Sequence, residues 1–201
     1  MIDEIIFRNV LKEIKQNSEY ADDIIDSFSD NQFIAKRKVL EYANRLNILD
    51  KDSEVIIFGS WYGSILIPGL VDKVKKISCI DIDKRVLQTA KNRFFKDYTN
   101  IDYIAGNVFD LDLKRYHTAN LFINTSCEHM PSMKEFLYWP DQTHFVFTSN
   151  DMFNIEGHIN CVNSLDEFKE QLPERAEVLY EEEVEDTRGT RYILVGKING
   201  I

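Results

Sequence analysis

EVIIFGSWYGS, residues 54–64, sets the reading of the whole chain. Val55–Phe58 is an unbroken apolar run, as expected of a strand buried on both faces. It empties into a turn bounded by Gly59 and Gly63, with Ser60, Trp61 and Tyr62 between them. Glycines at such a place let the backbone come close to a ligand and open a helix N-terminus toward it. Trp61 stands where such a turn would place its middle glycine.

Outward from this stretch the pattern repeats. Residues 60–74 read as turn then helix, with Pro68 near the first turn or bending it, because proline lacks the donor a helix interior needs. Ile77–Ile80, Ile101–Ala105, Asn120–Ile123 and Phe145–Thr148 read as four further strands. Asp83 is placed to cap a helix whose buried face is Val86, Leu87, Ala90 and Phe94. Alternating strands and helices predict a parallel, doubly wound sheet. The end differs. Ser164-Leu165-Asp166-Glu167 fits a capping box opening a helix to about Leu172. Val178–Val184 and Arg191–Lys197 then face each other across a short turn containing Asp186 and Gly189, so they must pair antiparallel. Upstream, residues 3–16 carry Ile6, Val10 and Ile14 on one helical face, with Phe7 and Leu11 beside them. A short helical piece is expected over 20–27. Another begins at the capping-box sequence Ser29-Asp30-Asn31-Gln32 and runs to about Leu46, with Ala35, Val39 and Ala43 on its face. The expected fold is α/β: a three-layer doubly wound sheet, mostly parallel, with an antiparallel C-terminal hairpin and an N-terminal helical cap. It forms one domain over 1–201, helical in 1–50 and α/β in 51–201.

The 201 residues suffice for one domain with a substantial core, and 44% hydrophobic with 29% charged residues is ordinary for a globular chain. The net charge of −10 makes nucleic acid an unlikely partner, since phosphate binding usually brings a basic excess. It also disfavours an anionic lipid surface. No apolar run is long enough to span a membrane, and MIDEIIFRNV is not a signal peptide, so a cytoplasmic location is expected. Cys79, Cys127 and Cys161 are odd in number and far apart, and the four histidines are scattered, so neither a disulfide framework nor a metal site is expected. Nothing in the sequence sets an oligomeric state.

Ligands of open parallel sheets sit at the carboxyl ends of the strands. The first strand offers Gly59, Ser60, Trp61 and Gly63. The second ends in Asp81 and Ile82, and an acid there can accept hydrogen bonds from both hydroxyls of a ribose. The third ends in Gly106-Asn107-Val108, where Asn107 can read an adenine edge and Val108 can pack on the ring. The fourth ends in Asn124, followed by Glu128 and His129. Trp61 and Tyr62 are either core residues or the wall of a pocket around a cation, to which a ring face is attractive. Glu128 and His129 are either a general base or a helix-start carboxylate with a structural imidazole. His158 lies in the long polar loop SNDMFNIEGHINC, residues 149–161, on the functional side, and joins them as a catalytic candidate. The run Glu181-Glu182-Glu183 reads as solvated strand surface.

In their order and spacing, EVIIFGSWYG, ISCIDIDKRVLQTAKNRF, IAGNVFD and ANLFINTSCEHM resemble the motifs of the class I S-adenosylmethionine (SAM)-dependent methyltransferases. The terminal hairpin matches that family's reversed last strand. The resemblance covers about three quarters of the chain and implies a Rossmann-like core with SAM as cofactor. It also implies cofactor-binding roles for Gly59, Ser60, Trp61, Gly63, Asp81, Ile82, Asn107, Val108 and Asn124. Its glycine spacing of first, third and fifth fits Gly59 and Gly63, whereas the NAD fingerprint fits Gly59 alone. Two positions depart from the pattern: Ile57 replaces an acid, and Trp61 replaces the central glycine. The first expectation is methyl transfer to a small-molecule acceptor. A SAM-using aminocarboxypropyl transferase of the nicotianamine synthase type, whose members also lack that acid, is the alternative. So is a binding protein that kept the fold without the activity.

Overall fold

A computed structural model describes residues 4–136 and 138–200. Seven strands form one sheet: β1 Glu54–Phe58, β2 Lys76–Asp81, β3 Ile101–Ala105, β4 Leu121–Asn124, β5 His144–Asn150, β6 Ala176–Asp186 and β7 Gly189–Ile198. Their order is β3-β2-β1-β4-β5-β7-β6. The first five are parallel, and β7 pairs antiparallel with both β5 and β6. The expected mostly parallel sheet with a reversed terminal hairpin is therefore observed. The strand order reverses between β1 and β4, and that switch point fixes where a cleft opens.

The pleat divides the core in two, since alternate residues face opposite sides of a sheet. Val55, Ile57, Ile77, Cys79, Leu121 and Ile123 pack under the N-terminal helices. Ile56, Phe58, Ile80, Phe122, Phe145 and Phe147 pack on the other side. The helices are α1 Glu4–Gln16, α2 Ala21–Asp26, α3 Asp30–Arg45, α4 Leu66–Leu70, α5 Lys84–Thr89 and α6 Leu165–Lys169. The second side is poor in helix. Between β3 and β5 the helical segments among the described residues are short 3-10 turns, and aromatic stacking fills the layer: Phe109 on Phe136 at 4.2 Å and Phe136 on Phe58 at 5.5 Å.

Local readings meet tertiary packing in several places. Asp83 caps α5 as expected, accepting from the N–H groups of Arg85 and Val86, and Ser164 caps α6 through the Glu167 N–H. Ser29 sits at the N-cap of α3 with extended backbone, but its hydroxyl makes no cap bond. The box partner Gln32 faces the cleft instead. Residue 3, expected to begin α1, lies outside the described residues. Ile6 and Val10 are buried on α1, while Phe7 and Leu11 are about half exposed, so the apolar stripe is narrower than the spacing predicts. The expected helix after Gly63 shrinks to five residues, with Pro68 in its first turn. Glu182 is not free strand surface. It accepts from Lys38 Nζ at 2.7 Å and Tyr42 Oη at 2.9 Å and ties α3 to the sheet.

The N-terminal helices are bonded to the β1 turn. Tyr62, 1% exposed, donates to Asp23 at 2.7 Å and accepts from Arg85 Nη1 at 2.7 Å, while Arg85 Nη2 reaches Asp23 at 2.8 Å. Ser27 and Ser64 hydroxyls meet at 2.7 Å. Tyr62 is thus an anchor in the core. Gly63 is there for backbone reasons: its φ is +65°, and a Cβ would lie 2.4 Å from Ile67 Cδ1. Gly63→Ala should therefore destabilise the fold by about 1–2 kcal/mol, read as a lower urea midpoint with an unchanged slope.

Candidate active site

A cleft of about 580 Å³ opens at the carboxyl ends of β1 to β4, within the size range of small-molecule sites. Gly59 and Trp61 line it from β1, Asp81 and Ile82 from β2, and Gly106, Asn107 and Val108 from β3. Glu128, His129 and His158 line its other end. Nine of the twelve residues singled out by sequence therefore share one cavity. Ser60, Gly63 and Asn124 do not line it. Ser60 is buried beneath the turn, its N–H bonded to the Ile80 carbonyl. Asn124 is fully buried. It accepts from the Ser126 N–H at 2.9 Å and places its amide nitrogen 3.4 Å from the sulfurs of Met130 and Met133, so it shapes the turn after β4. Strand β4 includes Asn124, one residue beyond the expected end, which is why its side chain turns into protein.

Asp81 organises the end of the cleft formed by the β1 turn and the ends of β2 and β3. Its Oδ2 accepts the Trp61 N–H at 2.7 Å and its Oδ1 accepts the Asp83 N–H at 2.9 Å. Burial raises its pKa, opposed by these two amides. A carboxylate offers about four acceptor directions, so these bonds do not exhaust it. Trp61 has φ +49°, the left-handed conformation that the missing glycine would have taken. The turn keeps the glycine geometry with a tryptophan in it, and the Asp81 bond holds that strained residue. Gly106 faces open space where a Cβ would go. Asn107, on the cleft wall, accepts the Phe109 N–H at 3.1 Å through its carbonyl oxygen, which leaves its NH2 outside that bond. Ile57, at the position of the family's acid, is fully buried in the core and offers the cleft nothing.

The other end is charged. Glu128 is 4% exposed, and its Oε1 lies 4.0 Å from Arg191 Nη1. Burial raises its pKa, opposed chiefly by its own backbone N–H and by Arg191. Arg191 also donates to Asp186 at 2.8 Å. His129 and His158 rings stand edge to face, with centroids 4.5 Å apart. Burial lowers the pKa of His158, with His129 adding to the effect.

Sequence reading missed three cleft-lining cations: Lys36, Arg188 and Arg191. Lys36 is buried on α3, its Nζ 5.5 Å from the Trp61 ring centroid. A lysine on the apolar side of an otherwise amphipathic helix, beside Ala35 and Val39, was the available signal.

Burial, with Arg191 adding repulsion, lowers the Lys36 pKa from 10.5 to about 8. The unfolded chain thus binds more protons than the folded one between those values, and this group's contribution to stability rises with pH through that window. Lys36→Met should be more stable than the parent at pH 7 by roughly 2–4 kcal/mol, an advantage that shrinks as pH climbs from 8 toward 10.5. Urea denaturation of both proteins at pH 7 and pH 9.5 checks it.

No family model matches the chain. The ribosomal RNA small subunit methyltransferase A of Fusobacterium nucleatum is 30% identical over 104 residues, 52% of this chain and 36% of that protein. The chain thus spans about a third of the length of the curated relative it matches. A SAM-dependent methyltransferase from Clostridium acetobutylicum superposes with a TM-score of 0.63 at 11% identity, covering 92% of this chain and 99% of that one. TrmK of M. capricolum, in complex with the cofactor product S-adenosylhomocysteine, superposes with a TM-score of 0.57 at 10% identity, covering 82% and 67%. Strand order, terminal hairpin and these superpositions agree: the chain has the Rossmann-like fold of the class I SAM-dependent methyltransferases.

Proposed function

We propose that the cleft binds SAM and that the protein transfers its methyl group to a small-molecule acceptor. One observation carries this reading: Asp81 at the end of β2 shares a cleft with the β1 turn and with Gly106-Asn107-Val108 after β3. That juxtaposition suits a nucleoside. In this reading the free acceptor directions of Asp81 take the ribose hydroxyls, Val108 packs on the base, and the Asn107 NH2 reads its edge. Gly106 leaves room for the ligand to lie against backbone. Lys36 supplies the positive charge for the methionine carboxylate, on the side where Ile57 has removed the family's acid. The Trp61 ring face suits a sulfonium.

When bound, SAM supplies a methyl carbon activated by the sulfonium. The chain's own work is then to align an acceptor with that carbon and keep water out. The N-terminal helices, bonded to the β1 turn through Tyr62 and Ser64, form the wall that encloses it. Glu128, His129 and His158 face the acceptor. The acidic net charge favours a small acceptor over a polyanion. The match to a ribosomal RNA methyltransferase favours RNA as a second reading.

Calorimetric titration with SAM and with S-adenosylhomocysteine tests the cofactor. Saturable one-to-one binding is expected, weakened at least about tenfold (about 1.4 kcal/mol) by Asp81→Ala or by Gly106→Leu, which fills the cleft. Absence of binding at millimolar ligand defeats the proposal. With an acceptor panel of small molecules and ribosomal RNA, S-adenosylhomocysteine should accumulate with a small molecule. Methylthioadenosine as product would mean aminocarboxypropyl transfer instead, and turnover on RNA alone would reassign the acceptor.

A further inference from the structure

The loop after β5 brings His158 to the adjacent pair Glu128 and His129, which lie far from it in sequence. Glu128, His129 and His158 each place a potential ligand atom within 4.8 Å of the other two. The sequence pattern predicts no metal site, because spacing alone does not show that residues 128–129 and 158 meet. In the fold they meet at the acceptor end of the cleft.

Three features mark a built site. First, Glu128 Oε2 is buried and has no hydrogen-bond partner, although the residue lines the cleft. The buried amide of Asn150, whose Nδ2 is likewise without a partner, lies beside this carboxylate and favours its charged form. An unpartnered buried carboxylate oxygen is costly, and a cation bound from the cleft would satisfy it. Second, His129 Nδ1 lies 3.0 Å from the Gly157 carbonyl. A carbonyl only accepts, so Nδ1 carries the proton and Nε2 keeps its lone pair, the arrangement usual for a metal-binding imidazole. Gly157, at φ +84°, turns its carbonyl to that nitrogen. Third, the loop is fastened to its partner. The Glu128 carbonyl accepts from the N–H groups of Ile159 at 2.8 Å and Asn160 at 3.0 Å. His158 is set further by its Nδ1 contact with Cys161 Sγ at 3.4 Å.

We propose that Glu128, His129 and His158 bind one divalent transition-metal ion of the zinc, manganese or cobalt class. Two imidazoles and a carboxylate are a donor set such ions take, and three protein ligands leave positions open toward the cleft. Arg191, Arg188 and Lys36 also face this end of the cleft and oppose a cation; Asp186, bonded to Arg191, and Asp26 offset them. Binding of the ion does not depend on the methyl-transfer reading; only its role does. In that role the open position would hold an acceptor hydroxyl and lower its pKa, so that its proton passes to solvent, the oxygen takes the methyl group and S-adenosylhomocysteine departs.

The full chain, stripped with EDTA and dialysed, is titrated with Zn(II) and Mn(II) by calorimetry and with Co(II) by visible absorption. One ion per chain is expected, with d–d bands from Co(II). Affinity should fall at least tenfold in each of Glu128→Gln, His129→Ala and His158→Ala, and stay unchanged in His117→Ala, which lies away from the cleft. A far-UV circular dichroism spectrum and a cooperative urea transition like the parent's show that a variant is folded. No binding of any of the three ions at millimolar concentration overturns the proposal, as does binding that survives both histidine substitutions. Metal binding without cofactor binding would defeat the methyl-transfer reading alone. Cofactor binding without metal binding would defeat this one alone.

Discussion

Two backbone N–H groups, of Trp61 and Asp83, share one carboxylate, that of Asp81. This is the constraint around which the cleft is arranged. It binds the turn after β1 to the end of β2 and holds Trp61 in a left-handed backbone conformation that costs a non-glycine residue about 1–2 kcal/mol. Through the next residue, Tyr62, the same turn is bonded to Asp23 and Arg85, and so to the N-terminal helices. Asp81 therefore has a structural task before any ligand arrives. Its remaining acceptor capacity is what a ribose would use.

The cleft has two chemically different ends. At the Asp81 end, backbone, one carboxylate and apolar side chains prevail, a surface suited to holding a nucleoside without reacting with it. At the Glu128 end, buried charges are crowded: Glu128, Arg191 and Asp186 lie on one side, Lys36 and two imidazoles close by. Burying charge is costly unless it is paired, and Arg191 is paired with Asp186 while Glu128 keeps one oxygen without a partner. Unbalanced polar groups in a cleft are where chemistry is expected.

Much of this was legible in the sequence. The parallel strands announce themselves as short apolar runs, Asp83 and Ser164 as caps, and the terminal hairpin by its short connection, because each signal is local. Of the residues expected at a nucleoside, Gly59, Trp61, Asp81, Asn107 and Val108 line the cleft, since topology fixes which strand ends converge. Asn124 does not line it, because β4 runs one residue beyond its apolar run and that side chain is buried in protein. Gly63 does not line it, and a glycine needed for a left-handed backbone looks the same in sequence as one needed for a ligand.

By itself the sequence determined the alternation, the strand ends and the acid at the end of β2, all of which follow from periodicity and adjacent residues. Only the tertiary structure decided what depends on distance. Lys36 enters the cleft because α3 crosses over the β1 turn. Tyr62 faces inward because Asp23 and Arg85 meet it there. Glu128 and His129 gain His158 because the 151–163 loop folds back to the Glu128 carbonyl. Residues thirty positions apart become neighbours only when the backbone between them is held, and no local pattern records which hydrogen bonds will hold it.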